Sequence, residues 1–322
     1  MKTRVLGSSG CVLTRIGLGT WAIGGAGWQY AWGSQDDRDS IAAIHEALDV
    51  GINWVDTAAV YGIGHSEEVV GRALEGRRDK VIIATKCGRL ATSGSAKIEP
   101  RLSAVSVRAE LEASLRRLRT DYIDLYQIHW PQPESELEEG WEEIARAVTA
   151  GMVRYAGVSN FNAAQMKRIQ KIHPIASLQP PYSMLRRDVE KEILPYCGDN
   201  GIGVICYSPM QMGLLTGSFT RERVASLPAD DLRARNAWFI EPALGVNLAF
   251  VEKLRPIAGR SGRSLGELAV AWVLRRSEVT AAIVGGRRPG QVRQIAAAAD
   301  WELSADDVAE IDSLIAEREA LT

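Results

Sequence analysis

The sequence lacks several features that would assign it to a class at once. No uninterrupted apolar run is long enough to span a bilayer, and the N-terminal residues 1–7 lack the apolar core of a signal peptide. Neither sign of charge dominates, since the formal net charge is -2 and no block of like charges occurs. Nucleic acid and anionic membranes are therefore poor candidates as partners.

Cysteine and histidine are scarce, with four residues of each. The cysteines show neither CxxC spacing nor a metal-finger pattern, and the histidines do not cluster as ligands would, which argues against a metal-dependent barrel hydrolase. The same cysteine usage predicts a reduced, cytoplasmic location. A GxGxxG motif is also missing after the first strand, which weighs against a Rossmann domain.

What the sequence does contain is an almost unbroken alternation of strand-like and helix-like segments. Strands are predicted at 16–19, 53–56, 81–85, 123–128, 153–158, 176–178, 203–207 and 281–284. Helices are predicted near 37–50, 66–76, 104–119, 135–150, 162–171, 188–200, 247–260, 264–276 and 305–318.

Eight strands in βα alternation fit an α/β fold of the (β/α)8 TIM-barrel type better than a doubly wound open sheet, which the pattern alone leaves possible. Residues near Val5 and Val12–Leu13, separated by a Gly-Ser-Ser-Gly turn, predict an N-terminal β-hairpin outside the repeat. With extra C-terminal helices, we expect residues 1–322 to form a single barrel domain.

Polar residues lie at the ends of three successive predicted strands. Asp56 ends one strand and Tyr61 follows it, Lys86 ends the next strand, and His129 follows the one after. In a βα-barrel this edge is where the chemistry takes place. A tyrosine with a pKa of about 10 exchanges protons poorly near neutrality, and an adjacent ammonium would lower that pKa. We therefore expect Lys86, held by Asp56, to assist Tyr61, and a neutral His129 to orient a substrate oxygen.

Each of these residues alone has an ordinary structural explanation. A buried aspartate at a strand end is commonly a cap, and a tyrosine is commonly part of the core. The joint arrangement on three strand ends is far more specific. It predicts a site that donates a proton to an oxygen on which negative charge develops.

Two segments are predicted to be active-site loops. The first, residues 21–36, is here called the aromatic loop because it contains Trp21, Trp28, Tyr30 and Trp32 among glycines. The second, residues 210–246, is here called the lid segment because it is long and only weakly periodic. Trp130 and at least one tryptophan of the aromatic loop are expected to wall a substrate pocket, although loop aromatics also pack against barrels.

Together these motifs make the chain resemble the aldo-keto reductase family, including bacterial members of the general-stress aldehyde reductase type. The matching motifs are Gly19-Thr20-Trp21, Asp56-Thr57-Ala58, Tyr61-Gly62, Ser66-Glu67, Thr85-Lys86, Asp124 to Trp130, Gly157 to Phe161, Gln179 to Tyr182, Tyr207-Ser208-Pro209 and Gly285-Gly286-Arg287. The resemblance implies a (β/α)8 barrel that reduces carbonyls with NADPH, and it implies catalytic roles for Asp56, Tyr61, Lys86 and His129.

The turn after the last strand has the composition of a barrel phosphate site, because glycines permit close backbone approach and a guanidinium suits a 2′-phosphate. By resemblance, Arg287 and Gln291 would face the adenosine end, and Ser159, Asn160 and Gln179 would bind the nicotinamide amide. Tyr207 would stack beneath the ring, and residues 208–214 would line the pyrophosphate. The expected cofactor-binding residues are Thr20, Trp21, Asp56, Ser159, Asn160, Gln179, Tyr207, Ser208, Pro209, Met210, Gln211, Met212, Gly213, Leu214, Gly285, Gly286, Arg287 and Gln291.

Three alternatives stay open at this stage. The pair Arg287-Arg288 could be a solvated surface pair, Ser159-Asn160 could cap the following helix, and Cys87 beside Lys86 could be a reactive thiol or a buried filler. The chain also has Gln211-Met212 and Gln294-Ile295 where many relatives have Gly-Arg or Gly-Ser and Glu-Asn. NADH is therefore a possible cofactor beside NADPH.

The expected function is NADPH-dependent reduction of an aldehyde or ketone, with Tyr61 as general acid and a small carbonyl compound as substrate. The alternative is a regulatory or partner-binding subunit of the same fold that binds the cofactor with little turnover. No metal is expected.

Overall fold

A closed parallel barrel forms the centre of the computed structural model, which describes residues 1–91 and 97–321. In chain order the strands are β1 (Thr3–Val5), β2 (Val12–Thr14), β3 (Ile16–Gly19), β4 (Trp54–Asp56), β5 (Ile82–Cys87), β6 (Arg89–Ala91), β7 (Ile98–Pro100), β8 (Ile123–Ile128), β9 (Val153–Ser159), β10 (Ser177–Gln179), β11 (Gly203–Cys206) and β12 (Val279–Gly285). The helices are α1 (Asp37–Asp49), α2 (His65–Ala73), α3 (Ala104–Leu118), α4 (Leu137–Thr149), α5 (Ala163–Ile169), α6 (Ile193–Asp199), α7 (Arg221–Ala225), α8 (Ala243–Arg260), α9 (Leu265–Leu274), α10 (Arg293–Ala296) and α11 (Ala305–Glu319).

The barrel closes because its last strand pairs with its first. Going round the barrel, the order is β3, β4, β5, β8, β9, β10, β11 and β12, and β12 then pairs in parallel with β3. Closure excludes the doubly wound open sheet and confirms the predicted (β/α)8 barrel. It also brings the carboxyl ends of β4, β5 and β8 to adjacent positions on one rim.

The helices cover the barrel with one apolar face each. In α4, Leu137, Trp141 and Ile144 recur at helical spacing and are fully buried, whereas β8 is buried along its whole length. Burial of such a side chain stabilises the fold by about 1.5–3 kcal/mol.

The predicted N-terminal hairpin, β1 and β2, closes the end of the barrel at which the strands begin. Leu6 and Leu13 from this hairpin pack with the fully buried Trp54 in one apolar cluster. Gly17 is required beneath the indole, because an added Cβ would lie 2.0 Å from a Trp54 ring atom. The amino end of the barrel is therefore filled, and the carboxyl end carries the cavity.

Two insertions at the carboxyl rim differ from the sequence prediction. The short antiparallel pair β6 and β7 follows β5, where only a loop was expected. The lid segment contains α7, several 3-10 turns and the start of α8. No helix within the described ranges is both long and apolar enough to cross a membrane.

Candidate active site

Four polar side chains meet at the carboxyl rim, and they are called here the tetrad: Asp56, Tyr61, Lys86 and His129. Parallel pairing places the strand ends side by side, with Asp56 level with Ala84 and Lys86 level with Gln127. The backbone N–H of His129 donates to the Cys87 carbonyl at 3.0 Å. The barrel register therefore brings together the residues that sequence analysis selected.

Lys86 is the centre of the tetrad. Its ammonium donates to Asp56 Oδ1 at 2.7 Å, to the Thr57 carbonyl at 2.8 Å and to the Tyr61 hydroxyl at 3.3 Å. The Lys86 side chain is buried, whereas Tyr61 and His129 border the cavity, their rings edge-on with centroids 5.8 Å apart. The Lys86 ammonium is thus fixed on the buried side of the Tyr61 phenol, and the His129 imidazole lies next to that phenol on the cavity wall.

Further buried polar groups hold the tetrad in place. Gln179 Nε2 donates to Asp56 Oδ2 at 2.7 Å, so both carboxylate oxygens have partners. Thr85, beside Lys86, donates its hydroxyl to Glu67 at 2.5 Å, and Glu67 also forms a 2.6 Å ion pair with Arg117. These contacts restrict the rotamers of the site before any ligand binds.

Burial is the largest influence on the pKa of Tyr61, Lys86 and His129. It raises the pKa of Tyr61 well above 10, and the charge of Asp56 adds to that rise. Burial lowers the pKa of Lys86, although Asp56 opposes this. It also lowers the pKa of His129 well below 6.5, with smaller contributions from the charges of Lys86 and Arg89. The expected neutral imidazole is consistent with this environment.

The expected net lowering of the Tyr61 pKa is wrong for this structure. The ammonium lies 3.3 Å from the phenol, but burial of the phenolate is the largest cause of the raised pKa, and the charge of Asp56 adds to it. Tyr61 therefore keeps its proton around neutral pH, which is the protonation state that a general acid needs.

A cavity of about 1320 Å³ extends from the tetrad to the turn after β12. Most of the predicted cofactor-binding residues line it: Trp21, Asp56, Ser159, Asn160, Gln179, Tyr207, Ser208, Pro209, Met210, Gln211, Met212, Gly213, Gly285, Arg287 and Gln291. Thr20, Leu214 and Gly286 do not. Thr20 is buried with its hydroxyl donating to the Asp56 carbonyl, Leu214 lies in the core, and Gly286 packs against Val292.

Strained backbone surrounds the middle of the cavity. Asn160, Ser208, Gln211 and Met212 all have positive φ between 45° and 63°. The Asn160 amide donates to the His129 carbonyl at 3.0 Å and accepts from the Tyr207 hydroxyl at 2.9 Å. Such strain persists only where the surroundings enforce it, and it clusters at functional sites.

The helix-cap alternative for Ser159 and Asn160 is wrong. The cap of α5 is Asn162, whose side chain forms a reciprocal capping box with Gln165. Ser159 instead donates its hydroxyl to the Gln179 carbonyl at 2.8 Å. Both residues are thus part of the cavity wall and have no capping role.

The two arginines after β12 differ in their environment. Arg287 donates to Gln35 Oε1 at 2.7 Å, to the Trp32 carbonyl at 3.0 Å and to the Ser34 carbonyl at 2.5 Å. The side chain of Arg288 is 75% exposed, with Asp39 3.9 Å away. Arg287 therefore anchors the aromatic loop, and Arg288 projects toward solvent at the cavity rim.

The aromatic loop also contacts the lid segment. Leu232 N–H donates to the Ala31 carbonyl at 3.2 Å, and Arg235 donates to the Gln29 carbonyl at 2.7 Å. The Arg233 guanidinium lies 4.6 Å from the centre of the Trp32 ring. Trp28, Tyr30, Trp32 and Trp130 all line the cavity, as expected for pocket walls.

Sequence analysis missed several residues that line this cavity. Leu232, Arg233 and Asn236 belong to the lid segment, which has no motif that would single them out. Arg89 was also missed, although it lies only three residues beyond Lys86 and hence on the same rim. Its position was the available signal.

The cysteines are buried and the described residues form no metal site. All four cysteines are free and buried, and burial raises the pKa of Cys87 well above 9, so it fits the interpretation as a buried filler better than that as a reactive thiol. Within residues 1–91 and 97–321 no group of His, Cys, Asp or Glu side chains is arranged to hold a metal ion.

The closed barrel, with an acid, a phenol, an ammonium and an imidazole at its carboxyl rim, defines a class of barrel oxidoreductase. A model of the Aldo/keto reductase family matches residues 15–316. The chain belongs to this family and is an NAD(P)H-dependent oxidoreductase acting on carbonyl or CH–OH groups.

Individual relatives support the same family assignment. The chain is 39% identical to the aldo-keto reductase YhdN of Bacillus subtilis, with 98% of this chain and 94% of the relative covered. It is 37% identical to an NADH-specific methylglyoxal reductase of Escherichia coli, with 95% and 96% covered. Among solved structures, the glycerol dehydrogenase AKR11B4 of Gluconobacter oxydans superimposes with a TM-score of 0.88 at 39% identity, covering 98% of this chain and 95% of that one.

Proposed function

We propose that this protein reduces an aldehyde or ketone to the alcohol with NADPH, and that Tyr61 is the general acid. The observation that carries the proposal is the buried contact of Lys86 with both Asp56 and Tyr61 at the inner end of the cavity. A phenol that holds its proton, beside a fixed cation that can stabilise the phenolate after transfer, suits proton donation to a carbonyl oxygen.

The residues present fit a nicotinamide dinucleotide. Ser159, Asn160 and Gln179 offer amide and hydroxyl groups next to the tetrad, and Tyr207 offers an aromatic face. At the other end Gly285 leaves the backbone open, since an added Cβ would meet nothing within 4 Å. When bound, the cofactor supplies the hydride that reduces the carbonyl carbon.

The side chains then divide the remaining work. Neutral His129 and the Tyr61 hydroxyl would both contact the substrate oxygen, so the oxygen is oriented before charge develops on it. Tyr61 then donates its proton to that oxygen. Lys86, held by Asp56, would stabilise the phenolate until a proton returns from solvent.

Cofactor preference depends on the turn after β12. We propose that Arg288, which is exposed at the cavity rim, binds the 2′-phosphate of NADPH, and that Arg287 holds the aromatic loop beside it. This changes the role expected for Arg287 from its sequence position. The NADH-specific relative makes NADH the rival cofactor to be measured.

The test is turnover of 4-nitrobenzaldehyde, followed as loss of NADPH or NADH absorbance, together with the affinity for each cofactor. Tyr155→Phe is the control for purification and folding, because Tyr155 lies at the other end of the barrel. Tight NADPH binding without turnover of any aldehyde or ketone would instead favour the regulatory, partner-binding subunit. We also propose a cytoplasmic location, which suits four cysteines that are all free.

A further inference from the structure

Arg89 brings a cation to the substrate side of the cavity. It begins β6, and the β6–β7 pair stands on the rim directly after the strand that carries Lys86. Gly88 N–H donates to both carboxylate oxygens of the buried Glu110 at 3.1 Å, and the backbone of Arg89 also donates to Glu110. The buried carboxylate of Glu110 therefore fixes the backbone that carries the guanidinium.

The guanidinium of Arg89 has only neutral partners among the residues described. It donates to Gln132 Oε1 at 2.8 Å and lies 5.6 Å from the centre of the Trp130 ring. No ion pair between Arg89 and a carboxylate occurs in the described ranges, and the residues 92–96 that follow in the sequence include no acidic side chain. By contrast, Arg233 in the same cavity forms a 2.6 Å ion pair with Asp231.

A partly buried cation without an anion is electrostatically unsatisfied. Burial lowers the pKa of Arg89, which reflects loss of hydration around the charge. An anionic oxygen from a ligand would offset that loss through charge-assisted hydrogen bonds, and the flat guanidinium suits a carboxylate or phosphate. Among the residues that the structure describes, Gln132 is the hydrogen-bond partner of the Arg89 side chain, so its other N–H groups would serve this contact.

The position of Arg89 relates it to the chemistry. Its charge contributes to lowering the pKa of His129, so the two groups lie within electrostatic reach of each other. Tyr30 and Trp130 flank this part of the cavity and are 38% and 36% exposed. A ligand anion at Arg89 would therefore lie between aromatic walls and beside the tetrad.

We propose that Arg89 is a specificity-determining residue, which selects carbonyl substrates bearing a carboxylate or phosphate group. The carbonyl would face Tyr61 and His129 while the anionic group binds the guanidinium. This inference rests on the proposed reductase function and adds the substrate class to it. Substrates of this class are oxo-acids and aldehydes that bear a carboxylate, and phosphorylated aldehydes and ketones.

The experiment compares matched substrates in wild type and Arg89→Gln. The carboxylate pair is 4-carboxybenzaldehyde against 4-nitrobenzaldehyde, and the phosphate pair is glyceraldehyde 3-phosphate against glyceraldehyde. We expect Arg89→Gln to lower kcat/KM for at least one charged substrate by about 10- to 100-fold, mainly through KM, since a charge-assisted contact is lost. Neutral substrates should change by less than about threefold.

Arg101→Gln is the matched control, because Arg101 is an exposed arginine of the same rim insertion that does not line the cavity. It removes the same charge and should leave both pairs unchanged. Loss confined to the carboxylate pair or to the phosphate pair identifies the source of the anion. Equal losses for charged and neutral substrates in Arg89→Gln would overturn the proposal and make Arg89 a structural residue.

A binding measurement separates this proposal from the reductase function itself. The alcohol 4-(hydroxymethyl)benzoate and, for the phosphate arm, glycerol 3-phosphate can be titrated while tryptophan fluorescence is followed, with and without NADPH. Binding by wild type that weakens about tenfold or more in Arg89→Gln supports the anion site even if no aldehyde is reduced. Absence of any difference between the two proteins for both ligands, with normal turnover of 4-nitrobenzaldehyde, would refute the site and leave the reductase function intact.

Discussion

The two ends of the cavity are constructed from different kinds of contact. At the tetrad, the Lys86–Asp56 ion pair joins two neighbouring strands, and the two side chains are 0% and 4% exposed. At the turn after β12, Arg287 bonds to loop carbonyls 253 and 255 positions away in the chain, and Arg288 is largely in solvent. The barrel therefore preorganises the chemistry, whereas the phosphate end depends on contacts between loops.

The same difference appears in the electrostatics. Around the tetrad, burial is the largest influence on the pKa of Tyr61, Lys86 and His129. At the exposed end, solvent and salt screen the charges, so each contact contributes less. We therefore expect substitutions at the buried end to have large effects on rate and stability, and substitutions at the exposed end to change selectivity modestly.

The largest effect is expected for Tyr61→Phe. Removal of the hydroxyl deletes the proton donor and leaves the ring, so kcat should fall by about 10²- to 10⁴-fold while NADPH affinity changes little. Single-turnover kinetics and cofactor titration test this, with Tyr155→Phe as the control. Wild-type turnover in Tyr61→Phe with an unactivated ketone would remove Tyr61 from its proposed role.

A smaller but diagnostic effect is expected for Lys86→Met. Loss of the ammonium destabilises the Tyr61 phenolate, so the pKa of the proton donor rises further and the alkaline fall in kcat/KM moves to higher pH while the rate near neutrality drops. Asp56→Asn should act in the same direction more weakly, because it loosens Lys86 without removing it. A pH–rate profile identical to wild type in both variants would contradict this linkage.

The sequence predicted the strand-end residues of the site but missed the contacts between loops. Asp56, Lys86 and His129 were found because a strand end has one location in a barrel, whatever the loops do. Contacts such as Leu232 with Ala31 were not found, since nothing local in either segment encodes the other. The net pKa of Tyr61 was also missed, because burial depends on the complete fold.

The buried carboxylates show a related limit. Glu110 lies on α3 next to Leu111, and in the sequence it looks like one more solvated helix position. The fold instead directs it beneath the Lys86–Arg89 segment, where it accepts from Gly88. Periodicity predicted the helix, but the partner that justifies a buried acid lies on another element.

Glu110 gives a prediction about stability at the buried end. Burial raises its pKa from 4.5 to about 7 despite hydrogen bonds from the Gly88 and Arg89 backbone. Between these pH values the folded protein binds more protons than the unfolded chain, so the free energy of unfolding decreases as pH rises. Glu110→Gln should match wild type near about pH 5 and be more stable by about 1–3 kcal/mol near about pH 8.

Urea unfolding at the two pH values measures this difference. Glu112→Gln is the matched control, because Glu112 is an exposed glutamate of the same helix. The carboxylate of Glu67 and the guanidinium of Arg117 also influence the pKa of Glu110. Both residues are therefore kept unchanged in the variant and in its control. A Glu110→Gln difference that is the same at both pH values would show that its ionisation is not the cause.

The smallest effect is expected for Arg288→Ala, which tests the exposed end of the cavity. Only NADPH offers a 2′-phosphate, so its affinity should fall relative to NADH, by roughly five- to tenfold because the side chain is 75% exposed and its contacts are screened.

Arg287→Ala should behave differently, since Arg287 holds Trp32 and Ser34 through their carbonyls. It should weaken NADPH and NADH together and raise KM for the carbonyl substrate, because the aromatic loop walls the pocket. Cofactor titrations at two salt concentrations sharpen the distinction: the Arg288 effect should shrink at high salt, while the Arg287 effect should persist. A loss selective for NADPH in Arg287→Ala alone would return the phosphate contact to Arg287 and show that this end, too, is preorganised before the cofactor binds.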